Sequence, residues 1–179
     1  MPSPAIRPAV RDDIPAIAAI YGEAVKNGTG SFELEPPGEA EMERRFDAIT
    51  AAGYPWLVAE LEGAVIGFAY AGPYRERPAY RHTVQDAIYL APAARGRGVG
   101  RTLLAALIDE AERRGFRQMI GIVGDSANRA SIQLHASLGF MPIGVMHDVG
   151  WKHGRWLDTV ITQLSLGKGA LDPPDDAEG

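Results

Sequence analysis

The chain is 179 residues long, 46% hydrophobic and 23% charged, with a formal net charge of -5 at pH 7 and no cysteine. That length suits one domain with a substantial core. The negative balance argues against a general nucleic-acid binder, and the missing cysteine excludes disulfides, thiol catalysis and thiolate metal sites.

The pattern predicts elements in the following order. Ile6 and Val10 flank a short strand. Asp12 or Asp13 is expected to cap a helix whose apolar residues Ile14, Ile17, Ile20, Tyr21 and Ala24 fall at helical spacing. Asn27 to Gly30 ends it and opens a loop through Pro37. A second helix is expected over 39–51, stopped by Gly53. Strands follow over 55–60 and 64–71, turning at Glu62-Gly63. The stretch 72–81 reads as irregular, and 83–90 as another strand. A helix over 100–114 carries the buried stripe Leu103, Leu104, Leu107, Ile108 and Ala111. A strand over 118–123, a helix over 128–138 and two strands over 143–152 and 156–166 complete the order. The result is a mixed α/β or α+β domain over residues 1–166. The Gly-, Pro- and Asp-rich tail, 167–179, reads as disordered. No apolar run reaches membrane-spanning length and no secretory segment opens the chain, so a cytoplasmic protein without a membrane partner is expected.

The most informative stretch is Arg95-Gly96-Arg97-Gly98-Val99-Gly100-Arg101. It lies between an apolar strand ending Ile88-Tyr89-Leu90 and an amphipathic helix. Glycines let the backbone approach a ligand closely. The helix start offers free N–H groups and the positive end of its dipole, a ready site for a diphosphate. A P-loop would need Gly-Lys-Ser/Thr where this chain has Gly100-Arg101-Thr102, and a Rossmann fingerprint would come early with GxGxxG spacing. Neither fits. The histidines His82, His135, His147 and His153 show no metal-binding spacing, so no metal is expected.

Arg-x-x-Gly-x-Gly after a strand and before a helix resembles the coenzyme A pyrophosphate loop of the GNAT N-acetyltransferase superfamily. Asn128-x-x-Ser131-x-x-Leu134-His135-x-x-Leu138-Gly139-Phe140 resembles the second half of its coenzyme site. Four further motifs occur in order: Ser31-Phe32-Glu33-x-Glu35-Pro36, Tyr54-Pro55-Trp56, Arg77-x-Ala79-Tyr80-Arg81-x-Thr83-Val84 and Gly150-x-Lys152-x-Gly154-x-Trp156-x-Asp158. Together they resemble the phosphinothricin and methionine sulfoximine N-acetyltransferases over about residues 5–166.

That resemblance implies a GNAT fold, a single mixed central sheet of about seven strands flanked by about four helices, and a homodimer. It implies acetyl-CoA as co-substrate and direct acetylation of the α-amine of a small amino-acid-like acceptor. Coenzyme residues would be Ile88, Tyr89, Leu90, Arg95, Gly96, Arg97, Gly98, Val99, Gly100, Arg101, Asn128 and Ser131. A backbone N–H near Leu90, where two strands splay, would polarise the thioester carbonyl. Acceptor residues would be Phe32, Glu33, Arg75, Arg77, Tyr80, Gly124 and Asp125. Arginine suits the acceptor's carboxylate because its guanidinium grips in two places.

The chain departs from the family at the proposed base. Where the family has Thr-Val-Glu, this sequence has Thr83-Val84-Gln85-Asp86. Gln85 is no base, though it could hold a water. Asp86 should face the other side of its strand unless a bulge re-aims it. His135 stands where many members have a tyrosine that protonates the leaving thiolate, and a protonated imidazole can do the same. Two rival readings stand beside this one. The first is a related enzyme acting on a polyamine or a protein N-terminus. The second, prompted by Gln85, is a non-catalytic acyl-CoA-binding module.

Overall fold

A computed structural model of the chain describes residues 3–175. One sheet of seven strands runs through it in the order β1-β2-β3-β4-β5-β7-β6. The strands are β1 (Ala5–Pro8), β2 (Trp56–Leu61), β3 (Ala64–Pro73), β4 (Thr83–Leu90), β5 (Gln118–Gly124), β6 (Met141–Lys152) and β7 (Arg155–Ser165). The helices are α1 (Ile14–Asn27), α2 (Glu39–Ala51), α3 (Val99–Arg113) and α4 (Arg129–Ser137). Of the sheet's pairings only β4 with β5 is parallel. A parallel pair needs a crossover, and α3 provides it.

The sheet is buried on both faces at its centre, so β2 reads as a continuous apolar run rather than an alternating one. Its even residues Trp56 and Val58 meet Ile17, Val25, Phe46 and Phe68 beneath α1 and α2. Its odd residues Leu57 and Ala59 meet Leu103, Leu104, Leu107 and Met119 beneath α3. Each such fully buried aliphatic side chain contributes about 1.5–3 kcal/mol. The stripe expected on α3 is therefore the face it buries.

The first helix begins differently from expectation. Asp13 makes no side-chain cap to α1. Its carboxylate instead accepts from Arg7 Nη1 at 2.7 Å, Arg7 Nη2 at 2.8 Å and the Val10 amide at 2.9 Å. A guanidinium offering two parallel donors outcompetes a helix amide for one carboxylate. Asn128 does cap α4, accepting from the Ser131 amide at 3.3 Å. Beyond β7 the chain turns, and Arg117 donates to the carbonyls of Gly169 and Pro173 at 3.1 and 3.0 Å. The remainder of the tail expected to be disordered, 176–179, lies outside the described residues. No helix among the described residues is long and apolar enough to cross a membrane.

Candidate active site

β4 and β5 stay together only briefly. Thr83–Asp86 pair with Gln118–Gly121, and there the ladder stops. Beyond it β4 continues against β3 as far as Leu90, while β5 continues against β7 as far as Gly124. The resulting gap opens a cleft of about 710 Å³ between the strands. Asp86, Ile88, Tyr89 and Leu90 line one wall, Ile122 to Asp125 the other, and Asn128, Ser131 and His135 of α4 complete it.

The glycine loop forms the mouth. Arg95, Gly96, Gly98, Gly100 and Arg101 line the cleft. Gly98 holds the N-cap of α3 with φ 80°, a left-handed conformation costly for a residue with a Cβ. The first amides of α3 are thus left open to a ligand. Gly100 is pressed between two side chains, since a Cβ there would lie 3.3 Å from both Leu134 and Leu90. Two members of the expected coenzyme set fall outside the lining. Val99 is a core residue, 5% exposed, because its position on α3 faces the sheet. Arg97 turns back to the Ala93 carbonyl at 3.4 Å. Arg95 spans the mouth, its Nη2 2.5 Å from Glu23 Oε2 on α1.

Asp86 reaches the cleft without a bulge. The register of β4 with both neighbours is unbroken. Alternation therefore sends Asp86 to the α3–α4 face, with Val84, Ile88 and Leu90, and Gln85 to the α1–α2 face. Gln85 does not line the cleft. His135 Nε2 lies 3.0 Å from Asp86 Oδ2, and its Nδ1 lies 2.7 Å from the Ser131 carbonyl. Both residues are buried, at 3% and 5% exposure. Burial pushes the imidazole pKa down, but the hydrogen bond and charge of Asp86 and the Ser131 carbonyl outweigh it, and the net direction is up. The other Asp86 oxygen, Oδ1, is buried without a hydrogen-bond partner.

The expected acceptor residues divide into three groups. Gly124 and Asp125 line the cleft. Asp125 sits at φ 73°. Its carboxylate is 2.5 Å from Arg155 Nη2 and accepts from the Ala127 amide at 3.0 Å. The Arg155 guanidinium holds that carboxyl below the usual carboxylate range, against burial. Phe32 lies on Gly124 and Gly150, whose missing side chains make its seat. Glu33 is committed to the fold, accepting from Tyr21 at 2.8 Å and Arg45 at 2.6 Å. Burial raises its pKa, and those two donors lower it further than burial lifts it. Arg75, Arg77 and Tyr80 are exposed on the connection before β4 and do not line the cleft. Tyr80 meets Tyr74 edge-on at 5.6 Å, and Arg75 lies over the Tyr74 ring at 5.1 Å.

A model of the GNAT acetyltransferase family matches residues 19–140. The chain belongs to that family. It is 51% identical over 164 residues to a phosphinothricin N-acetyltransferase of Alcaligenes faecalis, covering 92% of this chain and 83% of that one. It is 42% identical over 165 residues to an L-methionine sulfoximine/L-methionine sulfone acetyltransferase of Pseudomonas aeruginosa, covering 92% and 95%. A GNAT superfamily phosphinothricin acetyltransferase from Sinorhizobium meliloti, solved in complex with acetyl-CoA, superposes with a TM-score of 0.95 at 48% identity, covering 98% and 95%. The seven-stranded mixed sheet with four helices is the GNAT fold.

The splayed strands of this acetyltransferase suit a coenzyme arm. The gap frees backbone groups of β4 from Ala87 onward on the β5 side, and the exposed start of α3 suits a diphosphate. Two contributors, Gly121 and Glu23, escaped the sequence reading, and a third, Lys152, entered it only as part of the motif running from Gly150 to Asp158. Gly121 leaves room for His135: a Cβ there would lie 2.8 Å from its ring. A lone glycine inside a strand was the available signal. Lys152, buried at the end of β6, donates from Nζ to the Ser31 carbonyl at 2.7 Å and so ties down the loop bearing Phe32. Glu23, the partner of Arg95, had no sequence signal, because the pair spans 72 residues.

Proposed function

We propose that this enzyme transfers the acetyl group of acetyl-CoA to the α-amine of a small amino-acid-like acceptor of the phosphinothricin, methionine sulfoximine or methionine sulfone type. The single observation that carries the reading is the cleft at the β4–β5 splay, floored by His135 and opened by the start of α3. Acetyl-CoA supplies the activated acyl group. Arg95, Arg101, Gly96, Gly98 and Gly100 would hold its diphosphate, and Asn128 and Ser131 its arm. A backbone N–H of the unpaired end of β4 would polarise the thioester carbonyl. Holding both partners in line supplies much of the rate.

The acceptor is expected at the Phe32 side, where the 28–33 loop meets Gly124 and Gly150. Arg77, with Arg75 and Tyr80 beside it, is proposed to receive the carboxylate. Its connection leads directly into the strand that carries Gln85. Gln85 would order a water that takes the ammonium proton.

Assembly as a homodimer fits the free edge of the sheet. β6 is the outermost strand, and Met141, Ile143, Val149 and Trp151 on it are exposed, as is Trp156 opposite. So large an apolar edge is ordinarily covered.

An amine panel assayed by thiol release with acetyl-CoA tests the function. Turnover of methionine sulfoximine or phosphinothricin well above that of polyamines or peptide N-termini is the expected result. Preference for a polyamine or peptide would replace the acceptor assignment. Coenzyme binding without turnover of any amine would favour a non-catalytic module.

A further inference from the structure

Gln85 on the α1–α2 face of β4 carries no carboxylate, and one residue later the Asp86 carboxylate stands on the other face. We propose that Asp86 is a positioning residue for the thiolate end of the reaction: it holds His135 doubly protonated at the cleft floor.

The geometry carries this. Nδ1 of His135 faces the Ser131 carbonyl at 2.7 Å, and a carbonyl only accepts. Nδ1 is therefore the protonated nitrogen. Nε2 faces Asp86 Oδ2 at 3.0 Å, and an ionised carboxylate also only accepts. The pair thus holds one proton beyond the neutral imidazole. It rests on imidazole rather than carboxylate because free imidazole is more basic by roughly 2.6 pH units.

The groups around the ring are few. Its own helix gives the Ser131 carbonyl, β4 gives Asp86 and β5 gives Gly121. β7 places Thr162 beyond Gly121, and Phe140 meets the ring edge-on at 4.9 Å. Of these only Asp86 bears an ionisable side chain. Asp86 itself has no hydrogen-bond partner for Oδ1, so His135 is its hydrogen-bonding counter-charge. Tyr70 also feels the Asp86 charge, but remains a neutral phenol because burial raises its pKa.

The inference rests on the cleft being the acetyl-transfer site. In that step the amine nitrogen bonds to the acyl carbon and the carbon–sulfur bond breaks. The nitrogen loses two protons in all: the first leaves the ammonium through the Gln85 water before attack, and the second leaves as the tetrahedral adduct collapses. One proton passes from His135 to sulfur, leaving neutral imidazole, and that second proton from nitrogen restores the pair. Asp86 makes no bond to the reacting atoms. Its part is to keep the proton in place until sulfur needs it.

The free protein provides a test independent of activity. Nitrogen-15 correlation spectra of the histidine rings, assigned by triple resonance, should show His135 protonated at both nitrogens at pH 7. A single protonated nitrogen would overturn the proposal, whether or not any variant folds. In Asp86→Asn, His135 should lose its second proton about one pH unit or more lower than in the parent. The falling limb of the kcat–pH profile should move down with it, while acetyl-CoA affinity holds. Activity lost at every pH with His135 titrating as in the parent would make Asp86 the amine's base, and the proposal fails. If the cleft is not the transfer site at all, the ring spectra still answer and only the kinetic limb is lost.

Discussion

Phe32 lies directly on Gly150: a Cβ at position 150 would fall 2.5 Å from the Phe32 ring. The end of β6 is thereby shaped to seat the loop between α1 and α2, and Lys152 fixes the same loop through Ser31. Gly150→Ala should displace the ring. We expect acceptor KM to rise several-fold while acetyl-CoA affinity, measured by calorimetry, is unchanged. An unaltered acceptor KM would remove Phe32 from the acceptor wall.

With Arg95 on the diphosphate, as proposed, Glu23 would compete with the coenzyme for its guanidinium. Releasing the guanidinium with Glu23→Gln should tighten acetyl-CoA binding. An exposed ion pair is worth about 0.2–1 kcal/mol, so the expected gain is up to about fivefold. Weaker binding would show that the pair orients Arg95 for the diphosphate instead.

Asp125 offers a pH-dependent stability test. Its carboxyl is held below the usual range, chiefly by Arg155. Its stabilising effect should be complete above the unfolded value of about 3.9 and vanish as pH falls through the folded one. Asn tolerates the same left-handed backbone, so Asp125→Asn isolates the charge. Melting temperatures of parent and variant should differ at pH 7 and converge in acid.

Arg77→Ala should raise the amino-acid KM and spare acetyl-CoA binding. A charge-assisted contact of about 1.5–3 kcal/mol corresponds to about ten- to a hundredfold. Equal treatment of amino acids and their decarboxylated amines by parent and variant would dismiss Arg77 as the anchor.

Gln85→Glu would place on the α1–α2 face of β4 the carboxylate that the family resemblance implies there. The rate near neutral pH should increase, with about 10²–10⁴-fold as the most a well-placed base contributes. A rate and pH profile matching the parent would mean that the ammonium proton leaves by another path.

Much of the fold was legible because its signals are local. The α3 stripe, the Asn128 cap and the limits of β4 follow from residues close in sequence. Asp13 was misread because its partner Arg7 belongs to another element, and one carboxylate cannot serve both helix and guanidinium. The cleft was legible at the glycine loop, where backbone chemistry is written as a motif. The partnership of Asp86 with His135 was not, since it joins a strand and a helix 49 residues apart past a glycine in a third element, β5. The distance of Arg77 from the cleft lining was equally hidden, because a resemblance ranks residues without placing them.

The β4–β5 ladder is four residue pairs long, as short as the β1–β2 ladder at the sheet's edge, yet it lies in the sheet's interior. On one side stand β1 to β4, on the other β5 to β7, and the two halves of the sheet are joined by that ladder and by the His82 carbonyl before it, which accepts from the Arg117 and Gln118 amides. A ligand lodged in the splay touches both halves at once and would act as a rivet. At a hundred times its dissociation constant such a ligand adds about 2.7 kcal/mol. Most of that gain should appear as slowed hydrogen exchange along the torn edges of β4 and β5, leaving the outer strands little changed.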